Sequence, residues 1–310
     1  MSAHAHDHAD GHHHAHGHHG HHHHAPPAGD WRYGFAILLN LAFVGVEAVY
    51  GLLARSTALL ADAGHNLSDV LGLALAGGAA WLARQAGSQR HTYGYGKATI
   101  LAALANAVVL VFACGAIAVE AFRRLLEPAP VATTTVMVVA GVGFAINLAT
   151  ALLFLRGRKE DLNVRGAYLH MVADAGVSLG VVVVGGLILL TGQSWIDPLA
   201  GFAIVAVILA GTWGLLRQSF DLAMDSAPEH LDVAEVRDYL LALPGVSGVH
   251  DMHVWNLSTT ETALTVHLVR DEPGDAAFLN GVQAEVKRRF GIKHATVQVE
   301  SAALEDCPNC

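Results

Sequence analysis

Two histidine–aspartate pairs with the same spacing recur in the sequence. His65 precedes Asp69 by four residues, and His170 precedes Asp174 by four residues, each pair inside a long apolar segment. Positions four apart lie on one face of a helix, so each segment presents an imidazole beside a carboxylate. Ionisable side chains inside membrane segments are costly, which indicates function. Two such helices facing each other would supply two nitrogens and two oxygens, the ligands of a tetrahedral zinc site.

Such a quartet would bind a divalent cation inside a membrane. A bare cation is prohibitively unstable in the bilayer core, but two carboxylates neutralise its charge and four ligands replace its water shell. Two nitrogens and two oxygens favour Zn²⁺ over Mg²⁺ and Ca²⁺, which take more oxygens, although they do not strongly exclude Cd²⁺, Co²⁺ or Mn²⁺. Bound metal must displace a proton from histidine, so metal and proton occupancy are linked.

A simpler interpretation of each pair is a hydrogen bond within its own helix. The recurrence of the pair in two apolar segments favours the metal site. Other polar residues within apolar segments are Asn40, Glu47, Asn106 and Asn147. Glu47 has two interpretations: it assists ion movement or proton transfer, or it is a single interfacial or hydrogen-bonded carboxylate.

The composition is that of a membrane protein. Of the 310 residues, 53% are hydrophobic and only 15% are charged, and the mean hydropathy is +0.41. A membrane span needs about 20 helical residues. Six segments are long enough, at residues 31–53, 58–83, 98–122, 133–155, 166–190 and 198–216. We therefore expect an all-α, six-helix transmembrane domain at residues 30–217.

The distribution of basic residues predicts the orientation. One set of connections holds Arg84, Arg90, Lys97, Arg156, Arg158, Lys159 and Arg165. The connections on the other side hold only Arg55, Arg123 and Arg124. Because cytoplasmic loops are enriched in Lys and Arg, the first set should face the cytoplasm. This places both termini inside, in a multi-pass protein of the plasma membrane, with the composition favouring a bacterial inner membrane.

Residues 1–29 form a histidine-rich tail. Thirteen of the 21 histidines lie in residues 1–24, and the tail lacks the charged and apolar regions of a signal peptide. We expect the tail to be disordered, cytoplasmic and metal-attracting. Of the three cysteines, Cys114 is alone in an apolar segment, whereas Cys307 and Cys310 form a CPNC pair in the terminal segment 302–310. This pair has the spacing of half a zinc site.

Residues 218–301 have the composition of a soluble domain. The patterns predict helices at 231–243 and 276–290 and strands at 246–257, 262–269 and 294–300. The order αββαβ suggests a ferredoxin-like α+β domain, which dimerisation would stabilise. Residues 221–310 hold 15 acids and 6 bases, which points away from nucleic acid and toward cationic partners.

Several motifs together resemble the cation diffusion facilitators, a family of proton-coupled zinc exporters. They are HNLSD, HMVAD, YGYGK, WIDPL and VHDMHVW, and the resemblance covers residues 31–301. It implies a homodimer, a cytoplasmic metallochaperone-like domain and alternating access to a membrane site. His65, Asp69, His170 and Asp174 match the family's transport ligands. Histidine at position 65 resembles the zinc-preferring branch.

The resemblance also implies further metal ligands. His250 and His267 match cytoplasmic zinc ligands, Glu300 falls where a carboxylate ligand occurs, and His294 resembles a ligand of animal zinc transporters. A family loop site is only partly present, because His91 is retained whereas Ser88 and Tyr95 stand where its other ligands would be. His253 is a candidate ligand or a packed strand histidine beside Trp255.

The function predicted is the export of Zn²⁺ in exchange for protons, with Cd²⁺ or Co²⁺ as further substrates. A Mn²⁺ or Fe²⁺ transporter of the same family is the nearest alternative, which the histidines disfavour. A membrane-anchored metal sensor or store is a second alternative, since it would need only the tail and the CPNC pair. An intramembrane metalloenzyme is a third alternative. It is disfavoured because the sequence has neither an HExxH motif nor a candidate base beside the quartet.

Overall fold

The computed structural model describes residues 31–155, 162–272 and 274–301. The histidine-rich tail at 1–29 and the CPNC pair, Cys307 and Cys310, lie outside the described residues. The membrane helices are α1 (Trp31–Leu53), α2 (Thr57–Ala83), α3 (Lys97–Leu126), α4 (Thr133–Phe154), α5 (Leu162–Thr191) and α6 (Ile196–Ala223). The remaining elements are α7 (Val233–Leu241), β1 (Val246–Ser258), β2 (Glu261–Arg270), α8 (Ala276–Phe290) and β3 (His294–Glu300).

The predicted fold class, a membrane helix domain followed by an αββαβ domain, is confirmed. Helices α2 to α6 are each long and apolar enough to cross a membrane, and the described part of α1 adds Leu38–Leu53. α6 continues to Ala223, beyond the apolar segment predicted to end at residue 216. Its last turns carry the ion pair of Arg217 with Asp221, four residues apart. Charged residues sustain a helix outside the bilayer, so hydropathy marks the limit of the membrane and not of the helix.

α2 lies at the centre of the membrane domain, in contact with α1, α3, α5 and α6. One core cluster joins α1, α2, α4 and α5, and includes Phe43, Leu59, Val136 and Val181. A second joins α2, α3 and α6 through Ala61, Leu110 and Ile208. Many large apolar side chains on the outside are exposed, among them Phe112 and Val138. These side chains would face lipid, as expected for a membrane domain.

The first turn of α2 is bonded to the start of α6. Ser56 caps α2, because its hydroxyl oxygen accepts from the backbone N–H of Leu59. The carboxylate of Asp197 accepts from the hydroxyl of Ser56, and from the backbone N–H and the hydroxyl of Thr57 at 2.6 and 2.8 Å. Asp197 is fully buried. Negative charge at a helix N-terminus is favourable, so this carboxylate stabilises α2 and holds α6 against it.

The C-terminal domain is a three-stranded sheet in the order β1-β2-β3. β1 and β2 form an antiparallel hairpin, and β3 returns through α8 to lie parallel to β2. The helices cover the sheet over a core that includes Val236, Leu240, Leu264, Leu268 and Ile292. α8 ends at Gly291, whose φ of 71° is the left-handed conformation of a helix C-terminus. The topology brings the middle of β1 and the end of β3 to either side of β2.

The two domains contact each other at the start of α3 and the end of α6. The backbone N–H of Thr259, in the β1–β2 turn, donates to the hydroxyl of Thr99 at 3.1 Å. Lys97 forms an ion pair of 2.7 Å with Asp225, just after α6. Gly96 packs directly against β1, where a side chain at this position would lie 2.6 Å from the carbonyl oxygen of Leu257. These contacts mark the end of the membrane domain that faces the sheet.

Candidate metal centres

The structure brings together the two histidine–aspartate pairs of α2 and α5. Nε2 of His65 lies 3.8 Å from Oδ2 of Asp69 and 3.5 Å from Oδ1 of Asp174. Nε2 of His170 lies 3.3 Å from Oδ2 of Asp69 and 3.5 Å from Oδ2 of Asp174. Each histidine therefore contacts the carboxylate of the other helix as well as that of its own. A hydrogen bond confined to one helix does not describe this arrangement.

The spacing of these atoms suits one metal ion. Zinc binds nitrogen and oxygen ligands at about 2.0–2.2 Å, so tetrahedral ligand atoms around it are about 3.3–3.6 Å apart. The four histidine–aspartate distances of the quartet span 3.3 to 3.8 Å. Ligand atoms of His65, Asp69 and Asp174 all lie within 4.8 Å of one another. His170 completes the quartet through its contacts with both carboxylates.

The quartet faces a cavity of about 530 Å³ between α2, α5 and α6. Asp174 is 2% exposed, whereas the side chains of His65 and His170 are about a quarter exposed. α6 contributes no metal ligand but forms a long apolar wall. The wall residues are Ala200, Ala203, Ile204, Val207, Ile208, Gly211, Thr212 and Leu215. An ion bound here would reach its ligands through the cavity while apolar side chains surround the site.

Sequence reasoning missed a second buried acid on α2, Asp62, one turn from His65. Asp62 and Glu47 of α1 are both 0% exposed. Asp62 accepts a hydrogen bond from the hydroxyl of Ser178 on α5 at 2.9 Å. Glu47 accepts one from the side-chain amide of Asn66 at 3.1 Å. The sequence does indicate Asp62, since LLADAG places an acid in an apolar run, but the prediction of a metal site rested on the histidine–aspartate pairs alone.

The second cluster lies on the sheet of the C-terminal domain. His250 and His267 are directly opposite each other on β1 and β2, with ring centroids 5.2 Å apart. The buried carboxylate of Glu300, at the end of β3, lies 3.1 Å from Nε2 of His250 and 3.0 Å from Nδ1 of His267. Three ligand atoms of these residues lie within 4.8 Å of one another. The two imidazoles and the carboxylate suit a zinc ion with an additional ligand.

Asp251 is a further neighbour of this cluster that sequence reasoning also missed. β1 has an irregular register between His250 and His253, and Asp251 has a φ of 46°. Such bulges re-aim side chains. Oδ2 of Asp251 lies 3.5 Å from Nε2 of His267, and Oδ1 lies 2.9 Å from Nε2 of His253. His253 is exposed and faces Asp251, so it is not packed within the strand beside Trp255.

His294 and His91 lie outside both clusters. β3 begins at His294 and ends at Glu300, so the two residues are separated by about 20 Å of strand. His294 instead contacts the ring of Tyr93. His91 lies in the loop after α2, stacked near Tyr95, with Nδ1 3.4 Å from the hydroxyl of Ser88. Among the described residues, neither histidine belongs to a group of three metal-binding side chains.

Replacing Glu300 with glutamine should weaken zinc binding to the C-terminal cluster by about 10- to 100-fold. Glu300 is the only carboxylate of the three-residue cluster and contacts both imidazoles. Glutamine keeps the size of the side chain but removes the charge that offsets a cation. Thermal unfolding of the full chain with increasing zinc measures the effect, with Glu261→Gln, an exposed acid on β2, as the control. Equal zinc responses in both variants would contradict the site.

Two family models match the chain. The model described as the cation efflux transmembrane domain matches residues 35–222. The model described as the cytoplasmic domain of cation efflux proteins matches residues 228–302. The boundary between the matches coincides with the end of α6 at Ala223.

Curated relatives match nearly the whole chain. Cation efflux system protein CzcD of Alcaligenes sp. (strain CT14) is 36% identical over 282 residues, covering 90% of this chain and 89% of the relative. Zinc transporter ZitB of Escherichia coli (strain K12) is 35% identical over 301 residues, covering 96% of this chain and 92% of the relative. The cadmium, cobalt and zinc/H(+)-K(+) antiporter of Bacillus subtilis (strain 168) is 32% identical over 274 residues, covering 86% of this chain and 88% of the relative.

A solved structure, the metal-bound C-terminal domain of the CzcD transporter from Cupriavidus metallidurans, is also similar to part of the chain. Its sequence identity is 38%, and the match covers 23% of this chain and 99% of that one with a TM-score of 0.21.

Proposed function

The chain belongs to the cation efflux family. We propose that it exports Zn²⁺ from the cytoplasm in exchange for protons. The observation that carries the proposal is the intramembrane quartet of His65, Asp69, His170 and Asp174. Its two carboxylates balance the charge of a divalent cation, and its two imidazoles select a borderline metal. A store or sensor would not require ligands buried between membrane helices.

The names of the relatives support this choice of substrate. ZitB is named a zinc transporter, and the Bacillus subtilis relative is named for cadmium, cobalt, zinc and H(+)-K(+) antiport. Cd²⁺ and Co²⁺ are therefore proposed as further substrates. The Mn²⁺ and Fe²⁺ alternative is disfavoured, because oxygen-rich sites suit Mn²⁺ better than a site with two imidazoles.

Exchange follows from competition between metal and protons at the same ligands. Zinc binds the neutral imidazole, so its arrival releases protons and its departure allows histidine to be protonated again. In an alternating-access cycle, the quartet would take zinc from the cytoplasmic side and take protons from the other side. The mobile wall in this scheme is α6, which lines the cavity without ligating the ion.

The protein is proposed to be a homodimer in the plasma membrane, or inner membrane in a Gram-negative cell, with both termini in the cytoplasm. The orientation rests on the basic residues of the connections. The acidic C-terminal domain would then meet cytoplasmic zinc at His250, His267 and Glu300. Zinc bound there would draw the two copies of the domain together and favour the transport-competent arrangement.

Transport by the purified full-length protein in liposomes tests this proposal. Liposomes containing a zinc-sensitive dye and an acidic interior should accumulate external zinc, and the rate should fall when the pH gradient is removed. Zinc entry should also raise the internal pH, because each ion exchanges for protons. Zinc binding without flux under either condition would favour a membrane-anchored store and contradict export.

A further inference from the structure

The buried acids Glu47 and Asp62 form a pair that has no counter-ion of its own among the described residues. Asn66, which donates to Glu47, follows Asp62 by one turn on the same face of α2, so the two carboxyl groups lie side by side between α1 and α2. Within the described residues, Oε1 of Glu47 and Oδ1 of Asp62 have no N–H or O–H donor from another side chain or the backbone. Two neighbouring carboxyl groups that are fully buried cannot both be ionised, because like charges repel strongly away from bulk solvent. The pair therefore needs a proton.

In the part of the chain that the structure describes, the surroundings of the pair supply neutral hydrogen bonds but no compensating charge. The side-chain amide of Asn66 donates to Oε2 of Glu47, and the hydroxyl of Ser178 donates to Oδ2 of Asp62. α4 packs against Glu47 at Gly143 and contains no titratable residue. The charged or titratable groups that act on the pair are His65 of α2 and Asp174 of α5. Both belong to the quartet, so the charge of the quartet is the main external influence on the pair.

The position of the pair links it to the metal ligands along two helices. Asp62 precedes His65 by three residues on α2, which is about 4.5 Å along the helix axis. Ser178 follows Asp174 by one turn on α5 and bonds to Asp62. The pair lies on the side of the quartet where α2 begins, near Asp197, and thus away from the end that contacts the C-terminal domain. A core cluster including Phe43 and Leu59 seals this side in the described conformation.

We propose that Glu47 and Asp62 form a proton-binding site that loses a proton when the quartet binds zinc and regains it when zinc leaves. Zinc adds two positive charges next to the pair and favours its more negative form, while departure of zinc reverses the preference. By linkage, a proton on the pair weakens zinc binding to the same extent. This deepens the proposed exchange by placing one exchanged proton outside the metal ligands.

The number of protons released per zinc bound tests the site without requiring transport. Zinc is added to the full-length protein in weakly buffered detergent solution, and a pH indicator reports the released protons. Glu47→Gln keeps a hydrogen-bond donor toward Asp62 but cannot titrate, so it should release about one proton fewer per zinc than the unmodified protein. Asp62→Asn should give the same deficit. Glu120→Gln removes a carboxyl group from α3, away from the pair, and should change nothing.

Equal proton release by Glu47→Gln, Asp62→Asn and the unmodified protein would overturn the proposal. If neither variant folds, infrared difference spectra with and without zinc provide the test, recorded on Glu300→Gln so that the glutamate of the C-terminal cluster gives no signal. Labelling the glutamate carboxyl groups with carbon-13 separates Glu47 from the aspartates of the quartet. A glutamic acid C=O band that disappears with zinc is expected, and a glutamate signal that does not respond to zinc refutes the site. Proton release in detergent without zinc flux in liposomes would instead contradict the proposed export and leave the pair intact.

Discussion

Replacing Asp174 with asparagine should lower the initial rate of zinc uptake into liposomes by about 100-fold or more. Asp174 is almost completely buried, and its two oxygens each lie 3.5 Å from a histidine of the quartet. Asparagine has the same shape but lacks the charge. Zinc bound to the variant would leave one uncompensated positive charge between membrane helices, which is strongly unfavourable.

The control for this variant is Asp221→Asn, an acid on the last turns of α6 outside the cavity. It should transport zinc at the rate of the unmodified protein. Normal elution in gel filtration and retained zinc binding at the C-terminal cluster would show that Asp174→Asn is folded. Zinc uptake by a folded Asp174→Asn variant at more than a tenth of the normal rate would contradict the quartet as the transport site.

Replacing Asp197 with alanine should have the largest effect on stability, a loss of about 3 kcal/mol. The side chain is fully buried and accepts bonds from the hydroxyl of Ser56 and from the backbone N–H and hydroxyl of Thr57. Its removal leaves these buried donors without an acceptor and adds a cavity between the starts of α2 and α6. The loss also removes a negative charge from the N-terminus of α2.

Thermal unfolding of the detergent-solubilised protein, followed by gel filtration after heating, measures this effect. Asp197→Ala should unfold at a lower temperature than Asp221→Ala, which removes an exposed acid from the other end of the same helix. Asp197→Asn should fall between them, because its amide oxygen still accepts a hydrogen bond. Equal midpoints for all three variants would mean that Asp197 does not hold the two helices together.

The parts of the fold that were predictable depend on local patterns. Long apolar runs predicted the membrane helices, and alternation predicted the strands, including β3 within its exact observed bounds at His294 and Glu300. The ends of α3 and α6 were placed too early, because charged residues continue a helix outside the bilayer. The signal for membrane insertion ends before the signal for helix formation.

The candidate sites were predictable where two ligands share one helix or match a known motif. The spacing of His65 and Asp69 predicts a common face, but the contact with α5 requires tertiary packing. Asp251 was missed because a bulge with positive φ directs its side chain toward His267, and no local sequence pattern predicts that bulge. Asp62 is visible locally as an acid in the apolar run LLADAG, but its hydrogen bond with Ser178 of α5 requires tertiary packing.

α6 has a mechanical consequence that follows from its length and its attachments. Its 28 residues form one unbroken helix of about 42 Å, longer than the hydrocarbon core of about 30 Å. Asp197 fixes one end to α2, and the other end leads to Ser226, whose carbonyl accepts a bond from Asn256 of β1. If a helix of this length tilts by about 5° about one end, its other end moves by about 4 Å. A small rearrangement of the C-terminal sheet would thus shift the cavity wall at Leu215 by about 2.5 Å, which is comparable to a zinc–ligand distance of about 2 Å.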